Sequence, residues 1–492
     1  MWLDVAKEVR GEVVNVGPDR GGGYGIPGPD TGNAVLDLIA RLSVQSVHLE
    51  RRLDPFFRSG LDSLLRDPLT RLTTRLINAQ RKNEGYALAE ERIQPDEEAR
   101  LQEIIDTFTV QMGGLWKAGY FERGGNTKTH GILRGEFTVR DDLPENLRRG
   151  IFARPRTYPA WVRYSGPGPY WTPDIDDVGF MSMSIKLMGV PGPKLLEQEK
   201  FTQDLFGTSV PTFVTPDTGA NVKLQHWSVR NAQVFYFVNL RETHLLDSFM
   251  NLLWTRTQSS PLESQYFSCV PYLLGEGQAM QYSFWSRLET RTPVPGVPGR
   301  PPDDYLRQAM VATLAGRDVE FDVKLQLQTD PFLMPIENAA VMWPERLSPR
   351  VPAAVLRIPR QTFDSPEQFA FPRVLSYNPW HCIAEHRPLG NVSRARRRMY
   401  YELARLRQSM NKVEHYEPNG EEVFPGFRLP DGSTLPLLLR PRPTPGAPGP
   451  HIPAGSSSPP PPTSRRGPAP SDGAGKARRE RCRRCRAALA RR

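Results

Sequence analysis

Residues 319–328 read VEFDVKLQLQ. Apolar and polar side chains alternate through the whole run. Successive side chains of a strand point to opposite faces, so this pattern asks for one apolar face and one wet face, as in a half-buried antiparallel strand. Shorter runs of similar texture surround it: GEFTV, AWVRYS, SMSIKLMGV, VFYFVNL and AAVLRIP, separated by Pro, Gly and Asp turns. Many short strands with turn signals between them predict a barrel or sandwich. With the helical segments on either side, the expected class is α+β, an antiparallel β-barrel core with surrounding helices.

Outward from this core, five segments are expected. Residues 1–32 include GPDRGGGYGIPGPDTG and predict a flexible Gly/Pro-rich N-terminus, with no convincing strand ahead of GGGYG for a phosphate loop. Residues 33–112 predict a helical extension, since NAVLDLIARL, LDPFFRSGLDSLLRDPLTRLTTRLINAQR and LQEIIDTFTVQM repeat apolar residues at helical spacing. The plain expectation is amphipathic helices packed on the main domain; the bulk of LDPFF and LDSLL also admits a lipid-facing or substrate-gating surface. Residues 113–410 form the expected β-rich domain, closing with SRARRRMYYELARLRQSM, a basic amphipathic helix. Residues 411–440 are peripheral, and 441–492 are a disordered Pro/Arg-rich tail.

The net charge is +10 over 492 residues. From Arg440 to the end there are 13 Lys/Arg against Asp472 and Glu480, so the tail carries this excess and the body is near neutral. The core therefore predicts no nucleic-acid partner. Four cysteines form no disulfide framework, no run approaches a membrane span, and the first residues lack the apolar stretch of a secretory signal. A cytoplasmic protein without a transmembrane segment is expected. Cys482 and Cys485 have zinc-knuckle spacing but no second ligand pair nearby, which leaves a four-ligand site incomplete.

The chemistry-bearing residues lie at four places. NTKTHGILRGEFTV (126–139) sets His130 near the start of a strand. WVRYS (161–165) carries Arg163 and Ser165. DLFGTSVPTF (204–213) carries Ser209. RVLSYNPWHCIAEHRPLG (373–390) carries Arg373, Tyr377 and Arg387. Taken singly, each has an ordinary structural reading: a strand-end tyrosine, salt-bridged arginines, packed histidines at 381 and 386.

Taken in order, these motifs resemble the haem catalase superfamily, and KTHGILRGEFTVRDDLPENLRRGIFARPRTYPAWVRYS resembles its small catalase-related branch. The likeness spans roughly 115–405. It implies a haem b enzyme that consumes peroxide, by heterolysis of H2O2 or organic hydroperoxides at a Tyr-ligated haem. It implies Tyr377 as axial ligand of the haem iron and Arg373, four residues earlier, as a cation that stabilises the phenolate. It implies His130 as distal acid–base, Ser165 as the group orienting it and Ser209 in the place of a distal Asn. Arg163 and Arg387 would meet the haem propionates, and Gly131 would let the backbone approach a flat cofactor. A homo-oligomer or a peripheral lipid contact is the further expectation for partners.

The chain departs from the family pattern at several points. Ser209 stands where catalases have Asn. Thr127 stands where they have a propionate-binding Arg, with Lys128 beside it as a substitute. SMSIK (182–186) replaces a segment with another basic residue. Two further functions stay open: a fatty-acid hydroperoxide-rearranging haem enzyme of the allene oxide synthase type, and a non-catalytic haem-binding scaffold.

Overall fold

Nine strands carry the architecture: β1 (Thr129–Val139), β2 (Thr157–Ser165), β3 (Ser182–Leu187), β4 (Gln203–Thr208), β5 (Tyr266–Phe267), β6 (Tyr272–Leu273), β7 (Ala279–Ser286), β8 (Val319–Leu327) and β9 (Val351–Ile358). They form one antiparallel sheet in the order β5-β4-β3-β2-β1-β9-β8-β7-β6, and a further pairing of β5 with β7 closes eight of them into a barrel. Closure leaves no long open edge. The computed structural model describes residues 27–239, 242–289 and 291–435. Most of the Gly/Pro-rich N-terminus and the whole Pro/Arg-rich tail, with Cys482 and Cys485, lie outside the described residues.

The alternation in VEFDVKLQLQ is realised from Val319 to Leu325; beyond it Gln326 and Gln328 are buried and Leu327 is partly exposed. Val319, Phe321, Val323 and Leu325 are buried, while Glu320, Asp322 and Lys324 are partly exposed. The barrel interior is filled from the same face of each strand. Leu133 pairs with Val162, Val162 with Ile185 and Ile185 with Leu205, and all four belong to the main apolar cluster.

The helices are α1 (Ala34–Leu61), continued by a π-helical segment (Asp62–Arg66), α2 (Asp67–Gln80), α3 (Glu97–Leu115), α4 (Thr218–Ser228), α5 (Val234–Phe237), α6 (Leu245–Trp254), α7 (Tyr305–Gly316), α8 (Pro366–Ala370) and α9 (Asn391–Met410). The expected strand VFYFVNL is instead the single turn α5. Its Tyr236 ring stacks on His244 and clusters with Ala220 and Leu224 of α4, so local tertiary packing overrides its β-type composition. Helices α3 and α9 pack on each other and on α4.

Barrel closure rests on a close approach. A Cβ added at Gly207 of β4 would lie 2.8 Å from the Cβ of Tyr266, in the two-residue β5. Gly207→Ala should therefore destabilise the fold by about 1–3 kcal/mol through overpacking. Gly113→Ala, on the exposed face of α3 with open space around it, should be neutral or stabilising by up to about 1 kcal/mol. Urea unfolding of the two variants checks this.

Candidate active site

The outer face of β1–β4 is polar, and strand pairing explains which residues it collects. Ile132 pairs with Arg163, Arg163 with Ser184 and Ser184 with Phe206. One step away, Trp161 pairs with Lys186 and Lys186 with Asp204; at the other end Ser165 pairs with Ser182 and Ser182 with Thr208. Arg163, Ser182, Ser184, Phe206 and Thr208 line a cavity of about 340 Å³ between this sheet face and α3 and α9. The small serines of SMSIK leave that space open. Ile104, Phe108 and Met112 of α3 and Val392, Met399 and Leu403 of α9 make an apolar roof.

Tyr377 also lines the cavity; it is buried, and its Oη has no hydrogen-bond partner among the described residues. The segment that carries it is clamped by arginines. Arg123 donates to the carbonyls of Pro372 (2.6 Å) and Leu375 (3.3 Å), and Arg407 donates to those of Arg373 and Leu375. Gln408 adds a bond to the Val374 carbonyl.

The cavity is strongly cationic. Arg123, Arg163, Arg396 and Arg407 line it, and no described Asp or Glu does. Burial, aided by repulsion from Arg123, pulls Arg163 down to about 9, and the same two causes hold Arg407 well below the usual guanidinium range. Burial pushes the Tyr377 phenol up to about 12, against the pull of Lys186 and Arg163. The Lys186 ammonium lies over the Tyr377 ring, 5.2 Å from its centroid. These groups together favour an anion in the cavity.

His130 is the extra residue of a β-bulge. Thr129 pairs with Ser165 and Gly131 with Tyr164, so one residue of β1 is left over between them. Bulges re-aim side chains, often beside active sites. The imidazole is 1% exposed, and neither ring nitrogen has a hydrogen-bond partner among the described residues. Its Nδ1 is 3.6 Å from Asp174 Oδ1. Burial first, then the cations Lys128, Arg307 and Arg163, hold its pKa well below 6.5, so the ring is neutral.

The expected residues are thus only partly brought together. Arg163 and Tyr377 share the cavity; His130 and Ser165 lie at the neighbouring end of β1 and β2. Ser165 Oγ accepts from Arg163 Nη1 (3.2 Å) rather than bonding His130, because the same pleat face carries Arg163 two residues away. Arg163 also binds Thr129 Oγ1 (2.7 Å) and the Asn126 carbonyl. Arg373 pairs with Glu122 (3.0 Å), a buried carboxylate, rather than with Tyr377. Arg387 is partly exposed and pairs with Glu91, away from the cavity lining. Ser209 is buried beyond the cavity lining, its Oγ accepting from the Met181 amide at 2.8 Å. Lys128 binds Asp174, the Thr172 carbonyl and the Asp303 carbonyl. Gly131 makes room for a side chain and not a cofactor: a Cβ there would lie 2.6 Å from the Phe363 ring.

Behind Tyr377 lies a buried ionic cluster. Lys186 Nζ bonds both Glu199 and Asp204 Oδ1 (2.7 Å), and His381 Nδ1 lies 2.9 Å from Asp204 Oδ2 and 3.2 Å from Glu199. His415 Nε2 approaches the other Glu199 oxygen at 3.3 Å. Burial opposes the charge on Lys186, but the two carboxylates outweigh it and raise its pKa. Burial likewise opposes the charge on Glu199, and Lys186, His381 and His415 overcome it and lower its pKa. Asp204 also accepts from the Asn378 amide (2.9 Å), which ties the cluster to the peptide next to Tyr377. Glu199, Asp204 and His381 could converge on a cation, but the Lys186 ammonium already lies between the carboxylates.

No protein-family model matches the chain, and no curated protein matches it. In fold it is similar to solved catalases. A fungal catalase is 12% identical with TM-score 0.46, covering 70% of this chain and 71% of its own. A bacterial catalase is 14% identical with TM-score 0.41, over 68% and 67%. Catalase A from Saccharomyces cerevisiae is 13% identical with TM-score 0.46, over 76% and 83%.

Lys186→Met strands two buried carboxylates and should cost about 3–5 kcal/mol in chemical denaturation. His386 accepts the Ile151 amide at 2.9 Å on Nε2, and burial lowers its pKa to about 4. A depressed histidine stabilises the native state fully above its unfolded pKa near 6.5, and this is lost as pH falls toward 4. Stability should drop over that window by at most about 3 kcal/mol from this group. His386→Gln should flatten the corresponding part of a melting-temperature profile against pH.

Proposed function

We propose that the chain is a haem-dependent oxidoreductase that consumes peroxide. The observation that carries this reading is the unpartnered, buried Tyr377 phenol in an apolar-roofed cavity ringed by Arg123, Arg163, Arg396 and Arg407 with no lining carboxylate. That donor set fits haem b: a phenol oxygen for the metal, guanidinium groups for carboxylates and an apolar cover for a flat macrocycle. When bound, haem would supply the iron at which the O–O bond of H2O2 or an organic hydroperoxide is cleaved.

The chain's own groups have separable tasks. Tyr377 would hold the haem iron through its phenolate oxygen, and Lys186, Arg163 and Arg123 would offset that charge. Arg163, held in place by Thr129 and Ser165, would take a haem propionate. Arg373 acts through the clamp: its pairing with Glu122 and the Arg407 bond to its carbonyl position the peptide leading to Tyr377. His130 takes a proton at a ring nitrogen and returns it; its neutrality fits that role, since only a neutral imidazole accepts first and donates second. Ser165 holds Arg163, whose charge is one of those that keep His130 neutral. Ser209 and Arg387 take no part in this reading, because their partners lie elsewhere.

The visible spectrum of the purified protein with added haem tests the proposal. A phenolate-ligated ferric spectrum is expected in the wild type, and Tyr377→Phe should alter it and weaken haem retention. His130→Gln should keep the spectrum and lose about 10²–10⁴-fold in peroxide cleavage. Because the His130 pKa is depressed, the acid limb of the wild-type rate should lie well below pH 6.5. Absence of any haem band after reconstitution, or an unchanged spectrum in Tyr377→Phe, would overturn the reading. Loss of a lipid hydroperoxide without a reducing co-substrate would instead indicate rearrangement, which the apolar roof also suits.

A further inference from the structure

Helix α1 is docked with its charged face inward. Of its residues only Ala40, Arg51, Asp54 and Arg58 are buried. Arg58 bonds the Leu253 carbonyl and Asp62, Asp54 accepts from the Thr257 amide at 2.7 Å, and the Arg51 carbonyl accepts from the Thr257 hydroxyl. The Arg51 guanidinium fills the place of a side chain at Gly179, whose φ is +52°. The opposite, apolar face is turned to solvent. Leu38, Leu42, Leu49, Leu53 and Phe56 recur at three-, four- and seven-residue spacings, and Leu49 and Phe56 are 60% and 61% exposed.

The exposed face extends beyond α1. Leu64 in the π-helical segment is 73% exposed, and Leu72 and Leu76 of α2 are exposed as well. Helix α2 packs on α6, which adds the exposed Leu245, Phe249 and Leu252. Exposed apolar side chains in this number on neighbouring helices mark an interaction site.

Charge selects among occupants. The exposed charged residues along α1 and α2 are Arg41, Arg71 and Arg75, with Asp67 the single exposed acid. A second copy packed antiparallel would bring Arg41 toward Arg71 and Arg75, and a parallel copy would set each arginine against itself; both oppose like charges. An anionic lipid surface takes the leucines and phenylalanines into its interface and the arginines onto its phosphates. We propose that the outward face of α1 and α2 is a docking surface for an anionic lipid bilayer. This is independent of the haem reading.

Co-sedimentation of the full chain with vesicles tests it, using phosphatidylcholine alone and equal parts phosphatidylcholine and phosphatidylserine. Wild type should bind the mixed vesicles at least tenfold better than the neutral ones. Leu49→Ser/Phe56→Ser/Phe57→Ser, at exposed positions, should lose at least tenfold of that binding with an unchanged melting temperature. Arg71→Glu/Arg75→Glu should lose the preference for phosphatidylserine. Equal binding by wild type and the triple variant would place the attraction in the basic tail and overturn the proposal. Absence of binding would overturn it too. So would a wild-type dimer in sedimentation velocity that the triple variant converts to monomer, since a second copy would then cover the face.

Discussion

The site depends on one buried contact: the Lys186 ammonium held between Asp204 and Glu199. Lys186 is on β3 and Asp204 is its pairing partner on β4. Asp204 in turn accepts from the Asn378 amide and meets His381, so the same carboxylate ties β4 to the segment that follows Tyr377. Without its partner each ion would be a buried charge, and the pairing is what permits both to stay ionised. The ammonium left facing Tyr377 is then a permanent cation behind the phenol. Strand register, the placing of Tyr377 and the electrostatics of its oxygen are linked through three side chains.

The barrel was legible where one face is wet. In VEFDVKLQLQ, Glu320, Asp322 and Lys324 are partly exposed between buried Val319, Phe321, Val323 and Leu325, so periodicity identifies the strand even though Gln326 and Gln328 are buried. On β1–β4 the outer face is covered by helices and the cavity, and the burial pattern of β3 is continuous. SMSIK alternates in sequence, with Ser182, Ser184 and Lys186 on one face, but that polar face is buried as well, so the alternation marks a strand without marking a wet side. Closure was not legible at all. It rests on the two-residue β5, too short for any periodic signal, and on a glycine whose meaning depends on a residue far along the chain.

The candidate site was legible in residue types more than in partners. Arg163 and Tyr377 follow from the motif order, and both line the cavity. Arg123 and Arg407 did not stand out, because an arginine that bonds carbonyls of a distant segment looks, in sequence, like any surface arginine. Glu122 was missed for the same reason, and its ion pair changes what Arg373 can do. Ser165 was expected beside His130, but a residue two positions away on the same pleat face is the nearer competitor, and Arg163 takes the hydroxyl. Gly131 shows the same limit: the vacancy it leaves is filled by Phe363, more than two hundred residues later.

The amphipathic pattern of α1 shows how far periodicity reaches. It correctly predicts a helix with one apolar stripe, yet it cannot say which side meets the protein. Burying the apolar stripe is the usual solution, because it removes apolar area from water without desolvating charge. Here the protein surface beneath α1 offers the Leu253 carbonyl, the Thr257 amide and Arg256. These groups match Arg58, Asp54 and Asp62, so the charged side docks with its hydrogen bonds satisfied. The hydrophobic cost is not removed but displaced to the outer face, where Leu49, Phe56 and Leu64 remain in water. A chain that keeps such a face must gain from covering it, and the arginines beside it determine the sign of the charge that the covering surface has to carry.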